Sequence, residues 1–270
     1  MRSSSDMPQA ALPHAARRKA SARTILALML REMATTYGRS PGGSVWVILE
    51  PVGGIAIMSV VFSALVQAPP LGVCFPVFYA TGMLPFALYG TIQSKVSNAL
   101  MFSRPLLGFP RVTFLDAILA RFALNMMTEA MVAYIVFGGL LMIYDDHVAP
   151  DLPVIALSLM LAGLVGLGVG LLNAFLFTRF NVWQRGWSIL TRPLFLMSCV
   201  FFLFVNLPDG FQSVLWYNPL VHVVGLMRHG FYPGYDSSYV SVGYVLFFSG
   251  ATGLVGLILL RRYHRELLSF

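Results

Sequence analysis

The sequence predicts an all-α integral membrane protein: six transmembrane helices, an N-terminal amphipathic interface helix, and a re-entrant helix pair before the last span. Three observations predict this class. Of the 270 residues, 57% are hydrophobic and only 11% charged, and the mean hydropathy is +0.75. A soluble domain carries about 25% charge, and its single core could not bury so much apolar surface. Apolar stretches near the roughly 20 residues that cross about 30 Å of hydrocarbon recur along the chain. Finally, lysine and arginine are dense and sparse in alternate connections, the pattern that orients a membrane protein.

Residues 1–22, rich in Ser, Ala and Arg, predict a disordered cytoplasmic tail; residues 23–270 form a single transmembrane domain. The tail is not a signal peptide: the apolar run Ile25 to Leu30 is short, and Arg31-Glu32 stands where a small-residue cleavage site would be. Over 23–37, Ile25, Leu26, Met29 and Met33 recur at helical spacing beside Arg23 and Arg31. Such a helix lies in the membrane interface with its basic side chains toward anionic headgroups. The alternative is a frayed start of the first span, against which Gly38 and Ser40-Pro41-Gly42-Gly43 act as helix breakers.

Six spans follow, near 45–66, 76–97, 117–143, 154–178, 187–205 and 239–260. The third is long and holds Arg121 and Glu129, so it extends into the cytoplasm before entering lipid. Arg23, Arg31 and Arg39 precede the first span; Lys95, Arg104, Arg111 and Arg121 surround the second connection; Arg179, Arg185 and Arg192 crowd the fourth; Arg261, Arg262 and Arg265 close the chain. The first and third connections hold no Lys or Arg, the third carries Asp145, Asp146 and Asp151, and the fifth has only Arg228. The positive-inside rule then puts both termini in the cytoplasm and explains the net charge of +7 without nucleic acid.

Residues 206–238 do not span. Two short apolar runs flank Asn218-Pro219, an N-cap followed by a first-turn proline, and Gly230 is placed to end the second helix in a left-handed conformation. Two half-helices dipping from the outer side fit this pattern, since irregular backbone at that depth is tolerated only against protein or a watery cavity. A surface loop is the plainer alternative.

Several chemistries are excluded. The chain has no Gly-x-x-x-x-Gly-Lys-Ser/Thr loop for ATP. Gly166, Gly168 and Gly170 lie inside a span, where small residues let helices approach. Cys74 and Cys199 sit in apolar segments as small hydrophobes. The five histidines are scattered, no metal-ligand spacing occurs, and no catalytic residue is assigned.

An acid inside a span is expensive and implies a role or a partner. Glu50 gates the cytoplasmic entrance or pairs with Arg39 or Arg185. Glu129, with Arg121 and Asn125 at four-residue steps, forms a polar seam inside the bundle or meets substrate. Aromatic residues make up 13% of the chain, and their faces suit the apolar C–H faces of sugar rings. Tyr79, Phe86, Tyr89, Trp183 and Trp187 are candidates for such a lining, or else belong to the interfacial aromatic belt. Arg228 meets an acidic sugar or lipid phosphate, or caps its own half-helix.

These features together resemble the permease subunit of type-2 ABC exporters, specifically those exporting capsular polysaccharide from Gram-negative bacteria. The resemblance covers most of the chain after residue 22: the interface helix, Trp46-Val-Ile-Leu-Glu50-Pro51, Asn98-Ala-Leu-Met-Phe-Ser-Arg-Pro-Leu-Leu-Gly-Phe-Pro110-Arg111, and, most specific, Trp216-Tyr-Asn-Pro-Leu-Val-His222 with Arg228-His-Gly-Phe-Tyr-Pro-Gly-Tyr235. O-antigen and teichoic-acid exporters share the layout.

The resemblance implies a homodimer in the bacterial inner membrane with two copies of a separate ATPase subunit, which carries the ATP and Mg; this chain holds no cofactor. A periplasmic adaptor, an outer-membrane channel and a lipid-linked acidic polysaccharide complete the implied system. The connection 99–111 would be the coupling helix, with Phe102, Arg104, Leu106, Leu107, Phe109 and Arg111 docking in the ATPase; headgroup anchoring is its alternative reading. Other functions stay open at this point: a different ABC cargo, a membrane transferase acting on lipid-linked sugars, or a secondary transporter, whose usual internal repeats are not evident.

Overall fold

The computed structural model describes residues 14–37, 43–65, 68–99, 101–102, 114–144 and 150–269, all helical or connecting segments. Helix α1 spans His14–Tyr37. It starts before the expected residue 23, because 14–22 are dominated by Ala, Arg and Lys, which favour the helix. The tail before it, the Ser40-Pro41-Gly42 breaker and Asp145-Asp146 fall outside the described residues.

Among the described residues, five helices are long and apolar enough to cross a membrane: α2 (Gly43–Leu65), α3 (Phe75–Ser97), α4 (Phe114–Ile143), α5 (Leu152–Arg179) and α9 (Val242–Ser269). Each lies where a span was expected. The expected fifth span, 187–205, is built differently. Helix α6 runs Asn181–Met197, begins earlier, and carries Gln184, Arg185 and Arg192 on its exposed surface. It ends at Ser198 because Cys199 takes φ 57°, a left-handed conformation that no α-helix continues. A short 3-10 turn, Phe204–Asn206, follows.

The centre of the bundle is α5, packed between α3 and α9. Its glycines allow the approach expected of them. A Cβ on Gly168 would stand 2.5 Å from the Ser249 carbonyl oxygen, and one on Gly166 would stand 2.9 Å from that of Tyr89. Facing α5, a Cβ on Gly256 of α9 would meet the Leu171–Leu172 peptide at 2.6 Å. Close backbone approach of this kind replaces the hydrophobic effect as the glue between helices in lipid.

The segment before the last span does form a helix pair, α7 (Asp209–Leu215) and α8 (Pro219–Phe231). Asn218 caps α8 as its sequence predicts: Oδ1 accepts from the Leu220 amide at 3.0 Å, and Pro219 occupies the first turn. The expected left-handed end at Gly230 does not occur. The helix continues to Phe231, and Gly230 instead lies against Ile155 while its carbonyl accepts from the Asp151 amide at 2.7 Å. Gly230 thus serves contact with α5, a demand that a helix C-cap would not satisfy.

Two contacts fix how deeply the pair dips. The end of α8 touches Asp151 at the start of α5, whereas its beginning, Asn218-Pro219-Leu220, shares a cavity of about 150 Å³ with Val165 and Val169, halfway along α5. Residues 152–165 of α5 and the 13 residues of α8 each rise about 20 Å. The pair therefore returns at the middle of the bundle without crossing it.

Candidate functional site

A fully buried cation fastens the helix pair to the chain before it. Arg228 has no exposed surface. Its Nη1 donates to the Phe202 carbonyl and its Nη2 to the Val200 carbonyl, each at 2.8 Å, and the guanidinium lies 4.5 Å from the Phe78 ring centroid. The planar fork of arginine matches two carbonyls that no helix or strand satisfies. Arg228 was expected to meet substrate or to cap its own helix, and the structure shows a third role. It fastens α8 to the irregular segment that follows α6, because those peptide carbonyls, outside any helix, lie in an apolar surround where unpaired polar groups are costly.

A ring of motif residues closes the tip. His222 Nε2 lies 2.8 Å from the Trp216 carbonyl, and its Nδ1 accepts from the Ser241 amide at 3.2 Å. An acceptor at one nitrogen and a donor at the other define a neutral imidazole protonated on Nε2. Trp216 Nε1 donates to the Tyr239 carbonyl, Tyr244 donates to the Tyr217 carbonyl at 2.6 Å, and Asn218 Nδ2 reaches the Met197 carbonyl. Ser158 of α5 donates to the Val223 carbonyl at 2.8 Å. The Trp216–His222 block therefore joins α6, α7, α8 and the start of α9 at one point.

Beside this tip runs an aromatic wall. On α3, Phe75 and Tyr79 are one turn apart. Phe62 of α2 stacks on Phe75 at 4.7 Å and on Phe201 at 5.3 Å; Phe201 contacts Tyr79 at 5.4 Å and Phe195 at 5.2 Å; Phe195 meets Phe86 at 5.0 Å, and Phe86 meets Tyr89 at 6.0 Å. Three expected lining residues, Tyr79, Phe86 and Tyr89, belong to this wall, but they are not equivalent. Tyr79 and Tyr89 are each only 3% exposed, so they form its backing. Its accessible surface comprises Phe86, Phe62, Phe195 and Phe201, all half-buried. The last three were missed because they converge from α2, α6 and the irregular segment after α6, and no sequence spacing links those segments.

Trp183 and Trp187 lie 6.3 Å apart on α6. Trp183 Nε1 donates to Asn173 Oδ1 at 3.0 Å, tying α6 to α5, and Trp187 lines the small cavity beneath the tip. A second, wider groove of about 730 Å³ opens between α2 and α4 under Phe75. It is walled by Val52, Ile55, Ile135, Val136 and Leu140, with Ser59 and Ser63 among its few polar groups.

At the opposite end lie the intramembrane acids. Glu50 is exposed on α2 and makes no ion pair among the described residues. Of its expected partners, Arg39 is outside the described residues and Arg185 is exposed on α6. Glu50 lies within electrostatic reach of Glu129, whose carboxyl also faces the Thr91 hydroxyl and Lys95. The seam expected along α4 is divided. Asn125 Nδ2 bonds the Arg121 carbonyl at 2.7 Å, but the Arg121 side chain turns to α1 and pairs with Glu32 at 3.1 Å, leaving Glu129 to α3. Phe102 is exposed, whereas Arg104, Leu106, Phe109 and Arg111 lie outside the described residues.

Residues 23–232 match the family described as ABC-2 type transporter. The chain is 30% identical to the polysialic acid transport protein KpsM of Escherichia coli over 246 residues, covering 91% of this chain and 95% of that one. It is 26% identical to the capsule polysaccharide export inner-membrane protein BexB of Haemophilus influenzae over 245 residues, 90% and 92% of the two chains. With the inner-membrane protein CtrC of Neisseria meningitidis, also named for capsule polysaccharide export, identity is 24% over 243 residues, again 90% and 92%.

Proposed function

The chain belongs to the membrane family of ABC-2 type transporters, and from that premise we propose that it is the inner-membrane permease of a capsular polysaccharide exporter, working with a separate ATPase. The observation that carries this reading is the length of the likeness: proteins named for polysialic acid transport and capsule export align over 90% or more of this chain and at least 92% of their own. A shared domain alone would not extend so far along both partners.

The reading implies a physical route, which the accessible aromatic wall supports. Two copies of the chain face each other across α2 and α6, and a lipid-linked acidic polysaccharide enters from the cytoplasmic side. Phe62, Phe86, Phe195 and Phe201 present flat apolar faces to successive sugar rings. Ring faces bind without regard to linkage, so the polymer slides past them. The α7–α8 pair, fastened by Arg228, closes the outer mouth between transport steps. Both termini are cytoplasmic, and ATP binding on the partner moves the connection around Phe102. A periplasmic adaptor and an outer-membrane channel take over the polymer beyond this membrane.

Removal of the chain from its host tests the reading, with polysaccharide measured on the surface and inside the cell. Surface polymer should vanish and accumulate within, and detergent-purified chain should carry a stoichiometric ATPase. Undiminished surface polymer would overturn the proposal.

A further inference from the structure

Arg121 touches more separate elements than any function described so far requires. It is 5% exposed, near the cytoplasmic end of α4. Its Nε pairs with Glu32 Oε2 of α1 at 3.1 Å, its Nη1 donates to the Lys95 carbonyl near the end of α3 at 3.1 Å, and its guanidinium carbon lies 4.5 Å from the centroid of the Phe102 ring. The Arg121 carbonyl accepts from Asn125, one turn along its own helix. Phe102 itself is 57% exposed. One face of its ring thus meets Arg121, and the rest is open to whatever docks on the cytoplasmic side.

A guanidinium suits this position and an ammonium does not. Its charge is permanent, its donors point in a fixed plane, and its flat face stacks on an aromatic ring. The same group therefore bonds α1 and α3 edge-on and Phe102 face-on. A push on Phe102 therefore acts on the guanidinium, and through its bonds on Glu32 of α1 and the Lys95 carbonyl.

We propose that Arg121 is the positioning residue that carries movement of the Phe102 connection into the interface helix α1 and the base of α4. This rests on the reading that an ATPase docks at that connection. Arg121 does not touch cargo or nucleotide. It links the driven element to the helices whose tilt opens the cytoplasmic side.

The test uses the full complex in proteoliposomes, with ATP hydrolysis and polymer export measured together. Wild-type complex showing no ATP-dependent export would defeat the exporter reading and this proposal with it. Given wild-type export, Arg121→Lys should assemble and hydrolyse ATP at the normal basal rate, while polymer moved per ATP falls about tenfold. The exchanged pair Arg121→Glu with Glu32→Arg restores the ion pair without the Phe102 stack; it should recover thermal stability and not export. Spin labels on α1 and beside Phe102 should show a nucleotide-dependent distance change that Arg121→Lys abolishes. Export per ATP unchanged in Arg121→Lys, or full recovery of export in the exchanged pair, would overturn the proposal by showing that only the α1–α4 ion pair matters.

Discussion

Helices α3 and α5 bury 67% and 61% of their most apolar stretch inside the bundle, whereas α2, which is more apolar than α3, buries 6%. Along α2, Ile57 and Val60 are 63% and 70% exposed; along α6, Val182 and Ile189 are 81% and 68% exposed. In water such surfaces would be a defect. In lipid, apolar exposure carries no penalty, so burial follows from backbone approach and polar satisfaction rather than from hydrophobicity. The slab of α3, α5, α8 and α9 has both: glycines that admit a neighbouring backbone, and polar bonds between its members, with Ser158 of α5 donating to the Val223 carbonyl and the Asp151 amide to that of Gly230. The outer surface of the α2–α6 edge is apolar and largely exposed, and Phe62 and Phe195 of the aromatic wall lie on these two helices. One region is packed against itself, and the other leaves its apolar faces exposed.

Replacing a matched residue in each region should break this comparison most sharply. Arg228→Leu leaves the Val200 and Phe202 carbonyls without donors and should cost about 3–6 kcal/mol, given roughly 1.5–3 for each charge-assisted bond. Arg185→Leu on exposed α6 should stay within about 0.5 kcal/mol. Thermal unfolding in detergent, followed by tryptophan fluorescence, compares the two. Similar midpoints would mean that the clamp is not what holds the re-entrant pair.

A glycine pair gives the next effect. Gly168→Ala forces a methyl against the Ser249 carbonyl and should cost about 1–3 kcal/mol. Gly53→Ala on α2 meets nothing within 4 Å and should be neutral, or stabilising by up to about 1 kcal/mol through helix propensity. The same unfolding measurement reads both. A neutral Gly168→Ala would show that α5 and α9 separate easily, against the picture of a fixed slab.

The smallest stability effect belongs to the wall. Phe62→Ala and Phe195→Ala each remove one half-buried ring and should cost about 1 kcal/mol, from the range for aromatic pairs. Export should fall more than stability does, roughly tenfold, equivalent to ~1.4 kcal/mol of transport barrier. Export that tracks folded protein one for one would make these rings packing and not lining.

The re-entrant pair was legible because its signals are local. Asn218 and Pro219 specify a helix start wherever they lie, and two runs of about ten residues cannot span. The glycines of α5 were legible for a similar reason, since a small residue in a span has few other uses. Arg228 was not. Its sequence neighbourhood says only that a cation stands near a helix end, while its true partners, the carbonyls of Val200 and Phe202, precede it by more than twenty residues. Arg121 shows the same limit. Glu129 lies on the same face of α4 two turns along, yet Glu32 on another helix takes the charge.

Composition, apolar length and the placement of basic residues by themselves determined a multi-spanning helical membrane protein, because lipid obliges every backbone group to be satisfied within its own segment. That obligation is local and readable residue by residue. Which face of each helix meets protein, where α6 ends, which rings assemble into a wall and which carbonyls claim an arginine were decided only in the tertiary structure. In hydrocarbon an apolar side chain has no preference between lipid and a neighbouring helix, and the pairing is chosen by shape and by polar partners distant in the chain.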